Sequence, residues 1–591
     1  MNTHTPGSKI SYAFVLSLML ATYVFSVLIP PFQAPDEFEH LKRAYMFSQG
    51  QIVLHSVDGS ASGGNVDSGL MQYMSHFEPL KGAANRKISQ DEMKKAGEVR
   101  WSNSNVFETP SGSGSYFPAL YAPAAAGLLT GKVLNLSVQH SYRLARIFTL
   151  LACAALLFLA LRICQPPLAA LAIMALPMLL FLSASPVLDG TATATFLVAM
   201  SSFARICRDR EGTPDWVFHT LVASIALVAA CRANMLPMLA LPLAASIIGR
   251  KRKQLVIAII AATLVCAWTV ITVKTTVYPA TARHTDNAGR LVFFATHPGA
   301  FLEIIYNTVS NPARTSFYGY SFVGILGWLD APLAIGSYYT LALLLLLSVI
   351  ISIGFRSSMP VSARLLIVAC VLGSILLTFL ALLVQWTPDH ATEVDGIQGR
   401  YFLMPAIALM FAIAGTRTAS KRRLSIEALL LTALFAASTS ATASTLLHRY
   451  LQPITQQDRS DVLSGRMPSP PLAADHPIPV VFSQAQVDDP AKLSSLGIKL
   501  GTYMTTHAGT AEVRLEDAEG HSVSRSFELK DLVDNGFLEI PLDGGRYIKG
   551  EISSTGGVGI SSWEVKVNKR RLSCLHARTT DGREITTPGC D

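Results

Sequence analysis

The sequence predicts a polytopic α-helical membrane protein that carries a C-terminal antiparallel β-sandwich. Three observations carry that prediction: long uncharged spans, short basic tracts between them, and a change of composition after Gln452. Half of the 591 residues are hydrophobic and 15% are charged, with a mean hydropathy of +0.38, a balance that excludes a soluble globular enzyme. The net charge of +8 does not read as a nucleic-acid footprint. Its basic residues sit at Arg205 to Arg210, at Arg250-Lys251-Arg252-Lys253 and at Arg417 to Arg423, and short basic segments between spans mark the cytoplasmic side.

Residues Tyr12 to Pro30 are uncharged, long enough to cross a bilayer, which takes roughly 20 apolar residues. The weak flank at Lys9, the long apolar run and Pro35 directly after Ala34 predict an uncleaved anchor with its C-terminal end outside. A polar outer loop follows over 32–142. Within it, Phe117 to Leu136 is apolar but broken by Pro118 and Pro123. It reads as an interfacial or re-entrant helix, because a full crossing there would strand Arg205, Arg208 and Arg210 outside. The predicted spans are then 10–31, 143–162, 166–184, 190–206, 216–231, 234–249 and 254–273. After a second outer loop at about 274–334 come 335–355, 362–385, 401–416 and 424–446. About eleven crossings leave the C-terminus outside the cytoplasm, and the transmembrane domain extends over 1–448.

Residues 449–478 read as a linker and 479–591 as the β-domain. Period-two alternation in Ala511-Glu512-Val513-Arg514-Leu515, Phe537-Leu538-Glu539-Ile540 and Trp563-Glu564-Val565-Lys566-Val567, punctuated by Asp543-Gly544-Gly545 and Gly556-Gly557, predicts a sandwich. Such a domain is either a structural cap or a module for glycan binding or active-site access. Six cysteines lie in or beside apolar spans as small hydrophobes; Cys574 and Cys590 fall in the β-domain, where an extracytoplasmic setting predicts a disulfide. No CxxC pair or His/Cys metal spacing is present, and His284, Asp286 and Arg290 match no metal signature.

The sequence Phe32-Gln33-Ala34-Pro35-Asp36-Glu37-Phe38-Glu39-His40 places a carboxylate cluster at the membrane interface, suited to acid/base chemistry on a lipid-borne substrate. Together with Phe322 to Asp330 and Gln398-Gly399-Arg400-Tyr401-Phe402-Leu403-Met404-Pro405, it resembles domain-of-unknown-function family 2142, a bacterial family of polytopic membrane proteins. That family is similar in layout to the C-type (GT-C) glycosyltransferases, which take a sugar from a polyprenyl-phosphate carrier on the outer membrane face. The resemblance covers roughly Met1 to His448. It implies a GT-C-like fold and transfer of a polyprenyl-phosphate-linked sugar to a cell-envelope glycan, such as O-antigen or another surface polysaccharide. The location implied is the bacterial inner membrane, with the site and β-domain outside.

That chemistry needs a base for the acceptor's proton and cations for the leaving phosphate. Asp36 is the candidate base and Glu37 its alternative, with interfacial desolvation expected to raise the Asp36 pKa; both acids could instead cap a helix opening at Phe38. Candidate phosphate or substrate ligands are His40, Arg43, Arg143, Arg146, Asp189, Arg400 and Tyr401. Arg143 and Arg146 are three apart and so are expected on one helix face. Each arginine could equally anchor a lipid headgroup, and Asp189 could cap its helix. Any divalent cation (Mg or Mn) would fall to Asp36, Glu37 and Asp189. A transporter of lipid-linked sugar or a non-catalytic envelope-assembly scaffold stays open, although no carboxylate lies mid-span as proton-driven transport favours.

Overall fold

Glycine, proline and apolar spacing set most of the element boundaries. The structure, a computed structural model, describes residues 6–57, 61–82, 87–276, 287–354, 357, 359–387, 391–415, 420–451, 466–474, 476–502, 507–555, 559–567, 570–587 and 590. His284, Asp286, Arg417, Gly556-Gly557 and residues 452–465 of the expected linker lie outside them. The chain divides into two compact units, Met1–Pro453 and Ile454–Asp591.

The first unit is helical. Among the described residues, six helices are long and apolar enough to cross a membrane: Lys9–Leu28, Val138–Ile163, Arg252–Thr275, Ile335–Ser352, Val361–Gln385 and Lys421–Tyr450. A seventh crossing is available in Pro177–Ser183 with Leu188–Gly212, which meet at 110°. The eleven expected crossings are therefore too many as continuous helices. The 166–184 segment splits into Leu168–Met174 and Pro177–Ser183, because Pro177 cannot donate into a continuing helix and restricts Leu176 before it. The 234–249 segment is a 3-10 turn, Ala233–Leu239, running into the short helix Ala240–Ile248, with Pro237 inside the turn. Asp215–Cys231 and Gly399–Ile413 are apolar but short.

The 118–133 region forms a 3-10 turn, Pro118–Tyr121, and a helix, Ala122–Val133. Its 12 residues rise only about 18 Å, against roughly 30 Å of hydrocarbon. It packs on Val138–Ile163 through glycines: a Cβ on Gly127 would stand 2.4 Å from the Ala145 nitrogen, and one on Gly131 2.2 Å from Ser141 Oγ. Among its described residues, the rest of the first loop includes an antiparallel pair of strands, Gly64–Asp67 with Asn105–Glu108. Buried Asp67 accepts from Gly69 and Ser102 and pairs with Lys132 at 3.0 Å.

Among the described residues, the second unit has a seven-stranded and a four-stranded antiparallel sheet. Leu496, Ile498 and Leu500 of Leu493–Gly501 share one apolar core with Val513 and Leu515 of Thr510–Asp517 and Ile552 of Tyr547–Ser553, as the alternation predicts. Part of the expected linker belongs to this body instead. Arg466–Pro468 pairs with Trp563 to Val565, and Met467 and Leu472 are buried, so two apolar anchors override the proline-rich composition. Cys574 and Cys590 are joined, with Cα atoms 5.2 Å apart, beside Val565, Leu572 and Trp563. Because that bridge closes a separation of 16 residues, Cys590→Ser should cost the second unit about 3 kcal/mol. A lowered melting transition of the full chain, matched by wild type under reductant, is the expected readout.

Candidate functional site

The site is built on the turn that leaves the first helix, Pro6–Leu28. The last carbonyls of a helix lack internal partners, and here Arg146 supplies donors to them. Its Nη1 donates to the Ser26 and Ile29 carbonyls at 2.6 and 2.8 Å, and its Nη2 to that of Pro30 at 3.0 Å. Phe32 then takes φ 63° and is fully buried, its ring packed against Phe38, Tyr73, Phe77 and Tyr142. Trp328 Nε1 donates to the Phe32 carbonyl at 3.0 Å, so the 322–330 motif is a brace for this turn. That motif is in turn held by Asp330, which pairs with fully buried Arg449 at 2.8 Å.

The two neighbouring acids part company at this point. Glu37 is fully buried; it accepts from Ala34 N at 2.9 Å and from the Tyr142 hydroxyl, with Arg146 Nη2 at 3.9 Å. Burial raises its pKa above the usual 4.5 against the pull of Arg146 and Tyr142. Glu37 is thus a clasp between the turn and the Val138–Ile163 helix, not a substrate ligand. Asp36 is left-handed at φ 60°, ψ 13° and makes no side-chain cap bond to the Glu37–Ser48 helix it precedes. An N-cap residue is ordinarily extended and bonds its own helix, and a non-glycine residue at positive φ is uncommon. This conformation turns the carboxylate away from helix capping, and its Oδ2 meets Arg400 Nη2 at 2.6 Å.

Arg400 is the second residue of a 3-10 turn, Gly399–Phe402, pressed onto the Pro312–Val323 helix. A Cβ on Gly399 would lie 2.1 Å from Phe322 N and 2.2 Å from the Tyr318 carbonyl oxygen, so only glycine permits the approach. The guanidinium also stands 3.7 Å from Asp189 Oδ2, while Asp189 Oδ1 takes Arg232 Nη2 at 2.5 Å. Asp189 lies inside the first turn of its helix, whose N-cap is Val187, so it too is spent on an arginine and not on capping. The result is an alternating row, Asp36–Arg400–Asp189–Arg232. Tyr401 and Tyr116 flank it, their rings 5.3 Å and 5.4 Å from the Arg400 and Arg232 guanidinium carbons.

Arg400 is almost wholly buried, with 2% of its side chain exposed, yet 51% of the Asp36 side chain is accessible. The carboxylate is thus open to solvent while the cation that holds it is not. Burial works to raise the Asp36 pKa, but the Arg400 guanidinium, which both pairs with and hydrogen-bonds the carboxylate, outweighs it with help from Arg232 and holds the carboxyl below its usual value. The expected upward shift is therefore reversed. His40 bonds Tyr121 Oη at 2.6 Å, and burial lowers its pKa to about 4 despite Asp189 and Asp36. It is a neutral polar group and not a cation for phosphate. Asp189 Oδ2, Arg400 Nε and Nη1, and Arg232 Nε are buried without hydrogen-bond partners, Arg400 Nη1 and Asp189 Oδ2 meeting only as an ion pair at 3.7 Å.

Several expected ligands lie elsewhere. Arg43 is fully buried on the carbonyls of Gln51, Ile52 and Tyr116, where it fastens the outer loop. Arg146 serves the first helix, and Arg143 is exposed, so the pair does not share one environment. Arg232 was not anticipated; the signal available was a lone arginine between two predicted spans at their outer end. A divalent ion does not fit the expected donors. Glu37 is occupied on the other side of the turn, Arg400 stands between Asp36 and Asp189, and no group of three His, Cys, Asp or Glu among the described residues has metal-binding geometry. Removing Arg146 strands buried Glu37 and uncaps the first helix. Arg146→Ala should therefore destabilise the protein by about 3–5 kcal/mol, whereas Arg143→Ala should stay within about 0.5 kcal/mol, both read as detergent melting curves.

The four segments that supply the row all fall inside one region of similarity to known sequences. Residues 19–410 match the family described as predicted membrane protein, domain of unknown function 2142. No curated protein and no solved structure matches the chain. The matched stretch is well over half of the sequence and contains Asp36, Asp189, Arg232 and Arg400 together, and on that ground the chain belongs to the DUF2142 family of membrane proteins.

Proposed function

We propose that this protein is an inverting glycosyltransferase that moves a sugar from a polyprenyl-phosphate carrier to a hydroxyl of a cell-envelope glycan. In this reading it resides in the bacterial inner membrane in a GT-C-like arrangement, with the site and the β-domain on the extracytoplasmic face. The observation that carries it is the accessible Asp36 carboxylate, held in its base form on a buried arginine that has donors to spare.

In the reaction, Asp36 takes the proton of the acceptor hydroxyl as that oxygen attacks the anomeric carbon. The bond from that carbon to the phosphate oxygen breaks with inversion, and polyprenyl phosphate leaves with the electron pair. Arg400 and Arg232 are the cations available for the charge on the leaving phosphate, in a setting where fixed guanidinium donors act strongly. The aromatic rings of Tyr116 and Tyr401 are suited to the sugar's apolar face. No step is assigned to a metal ion.

Asp36→Asn keeps size and removes the base, so transfer should fall by at least about 100-fold. In the native host at matched membrane expression, the surface glycan should lack one sugar and its polyprenyl-phosphate form should accumulate. An unchanged glycan in that variant would redirect the assignment to transport or scaffolding. The pH dependence carries a sign. Since Arg400 lowers the Asp36 pKa below 3.8, the base form persists across neutral pH and its acid limb lies below about pH 4. Arg400→Gln leaves burial unopposed, so the limb should move to higher pH in a rate profile.

A further inference from the structure

Residues 116–121 touch three of the four segments that supply the charged row. The Tyr116 ring lies 5.4 Å from the Arg232 guanidinium, and the Tyr116 carbonyl accepts from Arg43 Nη2, in the helix that follows Asp36, at 3.2 Å. Phe117 N donates to the Ala230 carbonyl at 3.2 Å. The Leu120 carbonyl accepts from Thr191 Oγ1, in the helix of Asp189, at 3.5 Å. The run ends on Tyr121, whose Oη is 2.6 Å from His40 Nδ1. His40 stands one turn along from Asp36, its backbone N–H on the Asp36 carbonyl at 2.9 Å.

The Tyr121 contact decides which nitrogen of the His40 ring carries the proton. Tyr121 is 1% exposed, and among the described residues its hydroxyl has no other hydrogen-bond partner. A buried O–H without an acceptor is costly, so Tyr121 donates and Nδ1 accepts. Burial keeps the imidazole neutral, and its one proton therefore sits on Nε2, across the ring from Tyr121. Asp189 and Asp36 favour a proton on this ring, and Arg232 and Arg400 oppose it. Among the described residues Nε2 has no hydrogen-bond partner, and neither has Asp189 Oδ2. A neutral donor thus stands beside the row with nothing in the protein to receive it.

We infer that His40 is a further substrate-binding residue, donating from Nε2 to the acceptor hydroxyl that Asp36 deprotonates, with Tyr121 as its positioning residue. The inference rests on the glycosyltransferase reading for the identity of that hydroxyl. A hydroxyl has lone pairs to accept with and a single hydrogen to give. Accepting from His40 leaves that hydrogen for the carboxylate one turn away, which is the contact a general base needs. A phosphodiester does not suit this pair, because it has no hydrogen for Asp36 and gains no charge from a neutral imidazole. No proton passes through His40. The acceptor's proton goes to Asp36, its oxygen bonds the anomeric carbon, and the phosphate leaves with the electrons of the broken bond.

The test uses the full-length protein in nanodiscs, with surface glycan purified from a deletion host as acceptor and the host's extracted lipid-linked sugars as donor. His40→Phe keeps an aromatic ring and should raise the acceptor KM about tenfold, the scale of one hydrogen bond, with the donor KM unchanged. His40→Gln, whose amide returns an N–H near the Nε2 position, should recover most of that loss. Tyr121→Phe frees the tautomer and should fall between them. Melting curves establish that each variant is folded, and if His40→Phe is not, Tyr121→Phe against wild type carries the comparison. Equilibrium binding of the same glycan is the second readout, because it needs no turnover. Weaker binding by His40→Phe without any transfer by wild type keeps the His40 contact and removes the transferase. Transfer with an unchanged acceptor KM in His40→Phe, a His40→Gln no better than His40→Phe, or no glycan binding by wild type overturns the inference.

Discussion

A buried guanidinium cannot stand unneutralised in a membrane-embedded fold, and that constraint organises this one. Arg400, 2% exposed, faces Asp36 and Asp189, and Asp189 faces Arg232 in turn. Taking charges out of water costs several kcal/mol each, and only close partners offset that cost. The four residues arrive from four separate segments: the cap of Glu37–Ser48, the start of Leu188–Asp209, the end of Asp215–Cys231, and the Gly399–Phe402 turn. Packing these ends together is what forms the row.

The row is only useful because a second, dry network fixes its most accessible member. Arg146 and Glu37 bind the first helix and its turn to the Val138–Ile163 helix, and Trp328 holds the same turn through the Phe32 carbonyl. With Phe32 and Asp36 both left-handed, consecutive acids point to different neighbourhoods. Glu37 is spent on architecture; Asp36 is presented. Strained backbone of this kind persists where the surroundings over-determine it, and it is common at functional sites.

Much of this was legible in the sequence. The alternation Ala511-Glu512-Val513-Arg514-Leu515 maps onto a strand whose alanine, valine and leucine face the core. The long spans at either end of the helical unit also stand as expected, and three motifs far apart in the chain, holding Asp36, Trp328 and Arg400, do converge. What stayed hidden depended on tertiary context. Spacing cannot tell Asp36 from Glu37, because the difference lies in one left-handed residue and in partners remote in sequence, Arg400 for Asp36 and Tyr142 with Arg146 for Glu37. Arg143 and Arg146 share a spacing that predicts one face, but only Arg146 meets the end of the first helix. Arg232 carries no motif, and hydropathy does not register that proline splits the 166–184 span into two short helices.

The central claim is that Asp36, oriented by Arg400, faces the reacting carbon of a lipid-phosphate sugar whose phosphate lies on the arginines. An experimental structure of the full chain in nanodiscs with a non-transferable polyprenyl phosphonate sugar tests it most directly. The account predicts the phosphonate within hydrogen-bond distance of Arg400 or Arg232 and the Asp36 carboxylate beside the anomeric carbon. A sugar headgroup bound away from this row, with Asp36 and Arg400 untouched, would contradict it.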